Sequence, residues 1–283
     1  LRTGRHSARP VRFLSDLHLG HDMCRLHRVE ELWPLIDGAG TLVLNGDTVE
    51  ARAEGFRARS QEMQEHLESL CRRAGTALVY LNGNHDPDSW PHDYLDLAGG
   101  ALFVTHGHVL LRLVSPWSSK LRQCREGLER IHAEYTVADR RNLETRFAIT
   151  RRCCLAMPPS ETRMRGRNLR ALLSLVAREI WPPTRPLEVL RVWAQLPALA
   201  SSFVEEFRPQ AKVMLFGHTH RAALWRRHGR LLVNMGGFVA FARPLLAEWR
   251  GDSLTVHSLT LRGGEYRTSG VRAQVPLAAP GAA

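Results

Sequence analysis

At 283 residues and 44% hydrophobic, the chain can bury a sizeable core and sits at the upper edge of what one α/β domain occupies. No run of about 18 uninterrupted apolar residues occurs, which excludes a membrane-spanning helix. Cys24, Cys71, Cys124, Cys153 and Cys154 include no Cys-x-x-Cys pair, which excludes a thiolate zinc site and a disulfide framework.

A reducing compartment follows from that cysteine usage. The polar, Arg-bearing stretch from Leu1 to Pro10 lacks the apolar segment of a secretory signal, so a soluble, cytoplasmic protein is expected. Net charge is +11, from 39 basic and 28 acidic residues, and it is unevenly spread: 16 basic and 8 acidic residues stand between Lys120 and Arg191. Such a patch attracts phosphates, nucleic acid or an anionic membrane surface, and charge alone does not choose among them.

In chain order, short aliphatic runs at Val11–Leu14, Leu42–Leu44, Ala77–Leu81, Ala101–Val104 and Val213–Phe216 predict buried strands. Segments of helical spacing, Cys24 to Ile36 and Phe56 to Ala74, separate the first three, as strand-helix-strand units require. From Ser115 to Glu206 the period changes. Leu121, Cys124, Leu128, Ile131 and Tyr135 recur at helical steps, as do Leu169, Leu172, Leu173, Val176 and Ile180, and a further apolar helix runs from Leu187 to Leu199. Two more strands are predicted at Leu231–Val233 and from Leu245 to His257, the latter turning at Arg250–Ser253. The stretch from Val271, rich in Ala and Pro, has no periodicity and is expected to be disordered.

Each strand ends in a polar cluster, where open α/β sheets place their ligand sites. The clusters are Ser15-Asp16-Leu17-His18, Asn45-Gly46-Asp47-Thr48-Val49-Glu50, Gly83-Asn84-His85-Asp86, Thr105-His106-Gly107-His108 and Gly217-His218-Thr219-His220. One His or Asp at a strand end is most often structural; five clusters in this order are a different matter. Two residues apart, Asp16 with His18 and His218 with His220 can each reach one cation from the same side of a strand end.

Together the five clusters resemble the calcineurin-like metallophosphoesterases, over about Val11 to Leu110 and Lys212 to Leu259. The resemblance implies an α/β fold, a two-sheet αββα sandwich with a helical insertion or cap. The core would then comprise residues 1–114 and 207–262, the insertion 115–206 and a disordered tail 263–283. It implies two divalent metal ions, with Asp16, His18, Asp47 and His220 on one and Asp47, Asn84, His106 and His218 on the other. Asp47 bridges, and a metal-bridging hydroxide attacks phosphorus in line. His85 is implied as proton donor or charge stabiliser at the leaving oxygen, with Asp86 holding its other nitrogen. The mixed N/O ligand set admits manganese, iron or zinc, with Mn2+ the first expectation. His108 either supports the site or touches substrate, and Arg221 either contacts phosphate or is a surface arginine.

With Ser15 to Gly20, Gly217 to Arg221 and helices between them, the chain looks similar to UDP-2,3-diacylglucosamine pyrophosphatases, although those commonly carry Arg where His85 stands. The implied substrate bears phosphate, as in a nucleotide-linked lipid reached by peripheral membrane contact through the basic helices. Alternatives are a metal-dependent nuclease binding nucleic acid, a nucleotide phosphodiesterase and, from another class, a non-catalytic scaffold on the same fold.

Overall fold

The computed structural model describes residues 9–159 and 184–277, whose strands form two sheets face to face. The first contains β1 (Val11–Leu14), β2 (Thr41–Asn45) and β3 (Ala77–Leu81), which run parallel, and β9 (Leu245–Arg250), β10 (Ser253–Arg262) and β11 (Glu265–Pro276), in the order β11-β10-β9-β1-β2-β3. The second contains β4 (Tyr94–Leu97), β5 (Leu102–Thr105), β6 (Val213–Phe216), β7 (Ala223–Arg227) and β8 (Arg230–Asn234), in the order β4-β5-β6-β8-β7, with β5, β6 and β8 parallel.

Strand side chains alternate between two cores because the pleat has a period of two. Phe13, Val43, Val104, Val213 and Leu215 meet between the sheets, together with Ala247 and Val256. Their neighbours Leu14, Leu42 and Leu44 point the other way, onto Leu67 and Leu70 of α2 (Glu54–Ala74). Met214 and Phe216 likewise turn outward, onto Leu196, Phe203 and Val204 of α5 (Thr184–Phe207). Helices therefore flank a double sheet on both sides, the αββα sandwich that was expected.

Between the sheets' two crossings lie α3 (Leu121–Ala133) and α4 (Leu143–Ala156), whose Leu128, Ile149 and Cys153 share a small core with Val114. Asn142 caps α4 by accepting the amide of Thr145 at 3.0 Å. The helical pattern at Leu169 to Ile180 lies outside the described residues. Among the described residues no helix is long and apolar enough to cross a membrane.

Two expectations are corrected. Instead of a continuous helix from Cys24 to Ile36, the chain makes a 3-10 turn at Val29–Leu32 and a single α-turn, α1 (Trp33–Ile36), because Pro34 has no amide to extend a helix and is accommodated only in a first turn. The tail from residue 263 is ordered as far as it is described. Gly263 and Gly264, with φ of 60° and 79°, form a two-residue hairpin turn that returns the chain as β11, and Tyr266 and Leu277 are buried.

Candidate metal centre

Parallel strands bring the carboxyl ends of β1, β2 and β3 to the same rim as those of β5 and β6, and all five polar clusters follow those ends. Asp16, His18, Asp47, His218 and His220 each have positive φ, between 48° and 72°, a conformation that costs a non-glycine residue about 1–3 kcal/mol. Five strained residues at one rim indicate that the fold holds them there for a purpose other than stability. Close packing enforces the arrangement: a Cβ on Gly83 would lie 2.2 Å from Asp47 Oδ1, and one on Gly217 would lie 2.1 Å from Asp16 Oδ2.

Among the described residues the side chains converge in three groups, each with its ligand atoms within 4.8 Å of one another: Asp16, His18, Asp47 and His220; Asp47, His106 and His218; and His18, Glu50 and His85. Asp47 belongs to the first two, which contain only residues expected as ligands. His220 Nε2 lies 3.3 Å from Asp16 Oδ1 and 3.1 Å from His18 Nε2, while His106 Nε2 lies 3.2 Å from Asp47 Oδ2 and 3.2 Å from Asn84 Oδ1. All seven residues singled out as ligands thus meet in one pocket.

Outer contacts set which nitrogen faces the pocket. His218 Nε2 donates to the Val114 carbonyl at 2.8 Å, which leaves Nδ1 as its acceptor; His106 Nδ1 donates to the Asn45 carbonyl at 3.0 Å, which leaves Nε2. The His218 amide donates to Asp16 Oδ1 at 3.1 Å, and the His85 amide donates to Asp47 Oδ1 at 2.8 Å. Burial opposes charge on His106, yet Asp47 and Asp16 raise its pKa to about 9. Burial, followed by repulsion from His106, lowers His218 to about 3. Two buried carboxylates drawing positive charge into an N/O-lined pocket are a donor set that fits a pair of divalent cations.

Glu50 is the residue whose role the sequence did not disclose. Its Oε1 accepts from His18 Nδ1 and its Oε2 from His85 Nδ1, both at 2.7 Å, so one buried carboxylate orients a candidate ligand and the candidate proton donor together. Burial would raise Glu50, but His85 and His18 hold it far below the usual carboxylate range. For His85 burial is again the opposing effect, overcome by Glu50 and Asp47, which raise it to about 10.

Asp86 does not hold His85, contrary to expectation. Its oxygens accept the amides of Asp47 (3.0 Å), Gly83 (2.8 Å), Thr48 (2.9 Å) and Val49 (3.3 Å) together with Trp90 Nε1 (3.3 Å), so it ties two strand ends together. His108 is 3% exposed and packs beside the rings of His106 and His218. Arg221 lies over the Trp193 ring, 4.8 Å from its centroid, at the open side of the site.

Besides a small cleft of about 70 Å3 lined by Glu50, Asn84 and His85, two larger clefts reach the rim. One, of about 410 Å3, is walled by Trp117, Val189, Trp193 and Phe241 and ends at His218, His220 and Arg221. The other, of about 300 Å3, contains His18, His21, Glu50, His85, Lys120 and Arg185. Trp117 and His220 line both, so the clefts meet at the candidate ligands.

A family model described as calcineurin-like phosphoesterase matches residues 9–222. Among solved structures, a dimetal phosphatase from Danio rerio is 14% identical, with 92% of this chain and 98% of that one covered and a TM-score of 0.43. A Vps29 variant from Entamoeba histolytica is 14% identical, covering 94% of this chain and 98% of its own, with a TM-score of 0.42. A predicted phosphoesterase from Streptococcus pneumoniae is 16% identical, covering 93% and 98%, with a TM-score of 0.36. Comparison with curated proteins gives no match.

Proposed function

The chain belongs to the calcineurin-like phosphoesterase family, and from that premise we propose that it is a hydrolase of phosphoester bonds dependent on two divalent cations, manganese first among the candidates. The observation that carries this reading is the sharing of Asp47 between two ligand groups, since two close cations need an anionic group between them. Asp16, His18, Asp47 and His220 would hold one cation, and Asp47, Asn84, His106 and His218 the other. Bound there, the cations would supply Lewis acidity, offsetting charge on the phosphoryl oxygens and making water nucleophilic near neutral pH.

The protein's own part is orientation and proton delivery. Glu50 fixes His85 through Nδ1, leaving Nε2 of a ring that lines the cleft to donate to the departing oxygen. His18, held by the same carboxylate, stays in register with Asp47, whose Oδ2 is 3.7 Å from His18 Nε2.

Within that class the reading extends to a diphosphate ester with one apolar substituent, of the UDP-2,3-diacylglucosamine type. Its support is the pair of clefts: an apolar wall with Arg221 at one side of the ligands and a cleft with Lys120 and Arg185 at the other. The test is hydrolysis of bis(p-nitrophenyl) phosphate with Mn2+, with and without chelator, followed by UDP-2,3-diacylglucosamine, single-stranded DNA and a cyclic nucleotide side by side. Chelator-sensitive turnover and preference for the lipid-linked diphosphate are expected. No metal-dependent turnover on any of them makes the chain a binding scaffold, and preference for DNA with steep salt sensitivity makes it a nuclease.

A further inference from the structure

A separate cavity, of about 280 Å3, opens where the segment after His108 meets α3 and α4. Its apolar wall includes Ile149, and its polar wall is Arg112, His132, Arg140, Arg146 and Thr150; among the described residues no acidic side chain lines it. Arg112 pairs at the surface with Glu129, 2.5 Å away, and Arg140 donates to the His132 carbonyl at 3.0 Å. The Arg146 guanidinium has no hydrogen bond or ion pair with a described residue. Burial lowers its pKa; Glu206 acts against that from beyond contact distance, and repulsion from Arg140 and Arg112 adds to it. His132, 8% exposed, donates from Nε2 to the Arg112 carbonyl at 2.8 Å, while its buried Nδ1 has no partner.

Of the three guanidinium groups around this cavity, Arg146 is half-buried, has no partner among the described residues and is repelled by Arg140 and Arg112, where water screens less than at the surface. An anion relieves both the repulsion and the lost hydration. Guanidinium presents a planar fork of donors that matches phosphate oxygens two at a time, which makes phosphate the fitting anion among the common ones. We propose that this cavity binds a phosphate group, free or carried on a lipid headgroup, through Arg112, Arg140 and Arg146, at a site distinct from the candidate metal centre. Nothing in this rests on the hydrolase reading: the cavity shares no residue with the ligand groups.

The full chain, stripped of metal with EDTA, is titrated calorimetrically with inorganic phosphate at low salt, and circular dichroism confirms that each variant is folded. Phosphate binding is expected in the natural chain, weakened about tenfold or more by Arg146→Gln and by Arg140→Gln. Two variants are used so that a folding failure in one leaves the other to decide. Absence of binding overturns the proposal, as does unchanged binding in both folded variants, which would assign the phosphate to the strand-end pocket. Co-sedimentation with phosphatidylcholine vesicles containing phosphatidic acid separates the sources. Arg146-dependent sedimentation supports the lipid phosphate, and calorimetric binding without sedimentation supports the free ion.

Discussion

The rim of the sandwich and the arginine cavity between α3 and α4 both concentrate charge, but they handle it in opposite ways. At the rim every buried charge faces a partner: Glu50 faces two imidazoles, and Asp47 lies against His106 with its other oxygen on the His85 amide. In the cavity, among the described residues, Arg146 is left without a hydrogen-bond or ion-pair partner and the Arg140 guanidinium donates to a backbone carbonyl. The rim is built to hold a defined geometry, and the cavity to be completed from outside. That difference is open to experiment at several strengths.

The largest effect is expected from Asp47→Ala. Removal of the carboxylate common to both ligand groups should lower Mn2+-dependent hydrolysis of bis(p-nitrophenyl) phosphate by about a thousandfold or more, roughly 4 kcal/mol of transition-state stabilisation. A loss of only a few-fold would mean that the two groups act separately.

Glu50→Gln comes next. An amide cannot accept from both His18 and His85, so metal affinity or turnover should fall about 10- to 100-fold, as is typical when a group behind a ligand is lost. Glu50→Asp, shorter but still anionic, should recover part of it. If kcat falls while calorimetric Mn2+ affinity is unchanged, the loss lies with His85 alone.

Asp86→Ala should act through the fold. It strips the acceptor from four backbone amides and Trp90, which predicts a destabilisation of about 3 kcal/mol, read as a shifted denaturant midpoint. A large loss of turnover at unchanged stability would restore the direct partnership with His85 that the sequence suggested. The smallest effect belongs to the cavity. At low ionic strength without phosphate, Arg146→Gln should leave the stability unchanged or raise it by under about 1 kcal/mol, read as an unchanged or slightly higher thermal midpoint, because it removes repulsion and breaks no pair among the described residues. A clear destabilisation would show that the guanidinium is already satisfied within the chain.

How much of this the sequence discloses depends on whether an element's logic is local. The convergence of the candidate ligands was legible because each cluster follows an apolar run that ends abruptly, and parallel strands deliver such ends to one rim. Glu50 stood three positions past Asp47 in plain view, but its pairing with His85 follows from the register of β2 against β3, in which Asn45 lies opposite Leu81. The Val114 carbonyl that fixes His218 has no side-chain signal at all. β11 was missed because most of its residues face water and its alternation is polar on both faces, although Gly263-Gly264 marks the hairpin. The arginine cavity was visible only as a basic stretch; which arginines meet depends on how α3 and α4 pack through Leu128, Ile149 and Cys153.

The central claim is that Asp47 joins two cation sites into one centre. Equilibrium dialysis of the purified chain against Mn2+, with the bound metal counted, tests it most directly. Two tightly bound ions per chain, with binding disrupted in Asp47→Ala, are expected; a single ion, or two whose binding ignores that substitution, would contradict it.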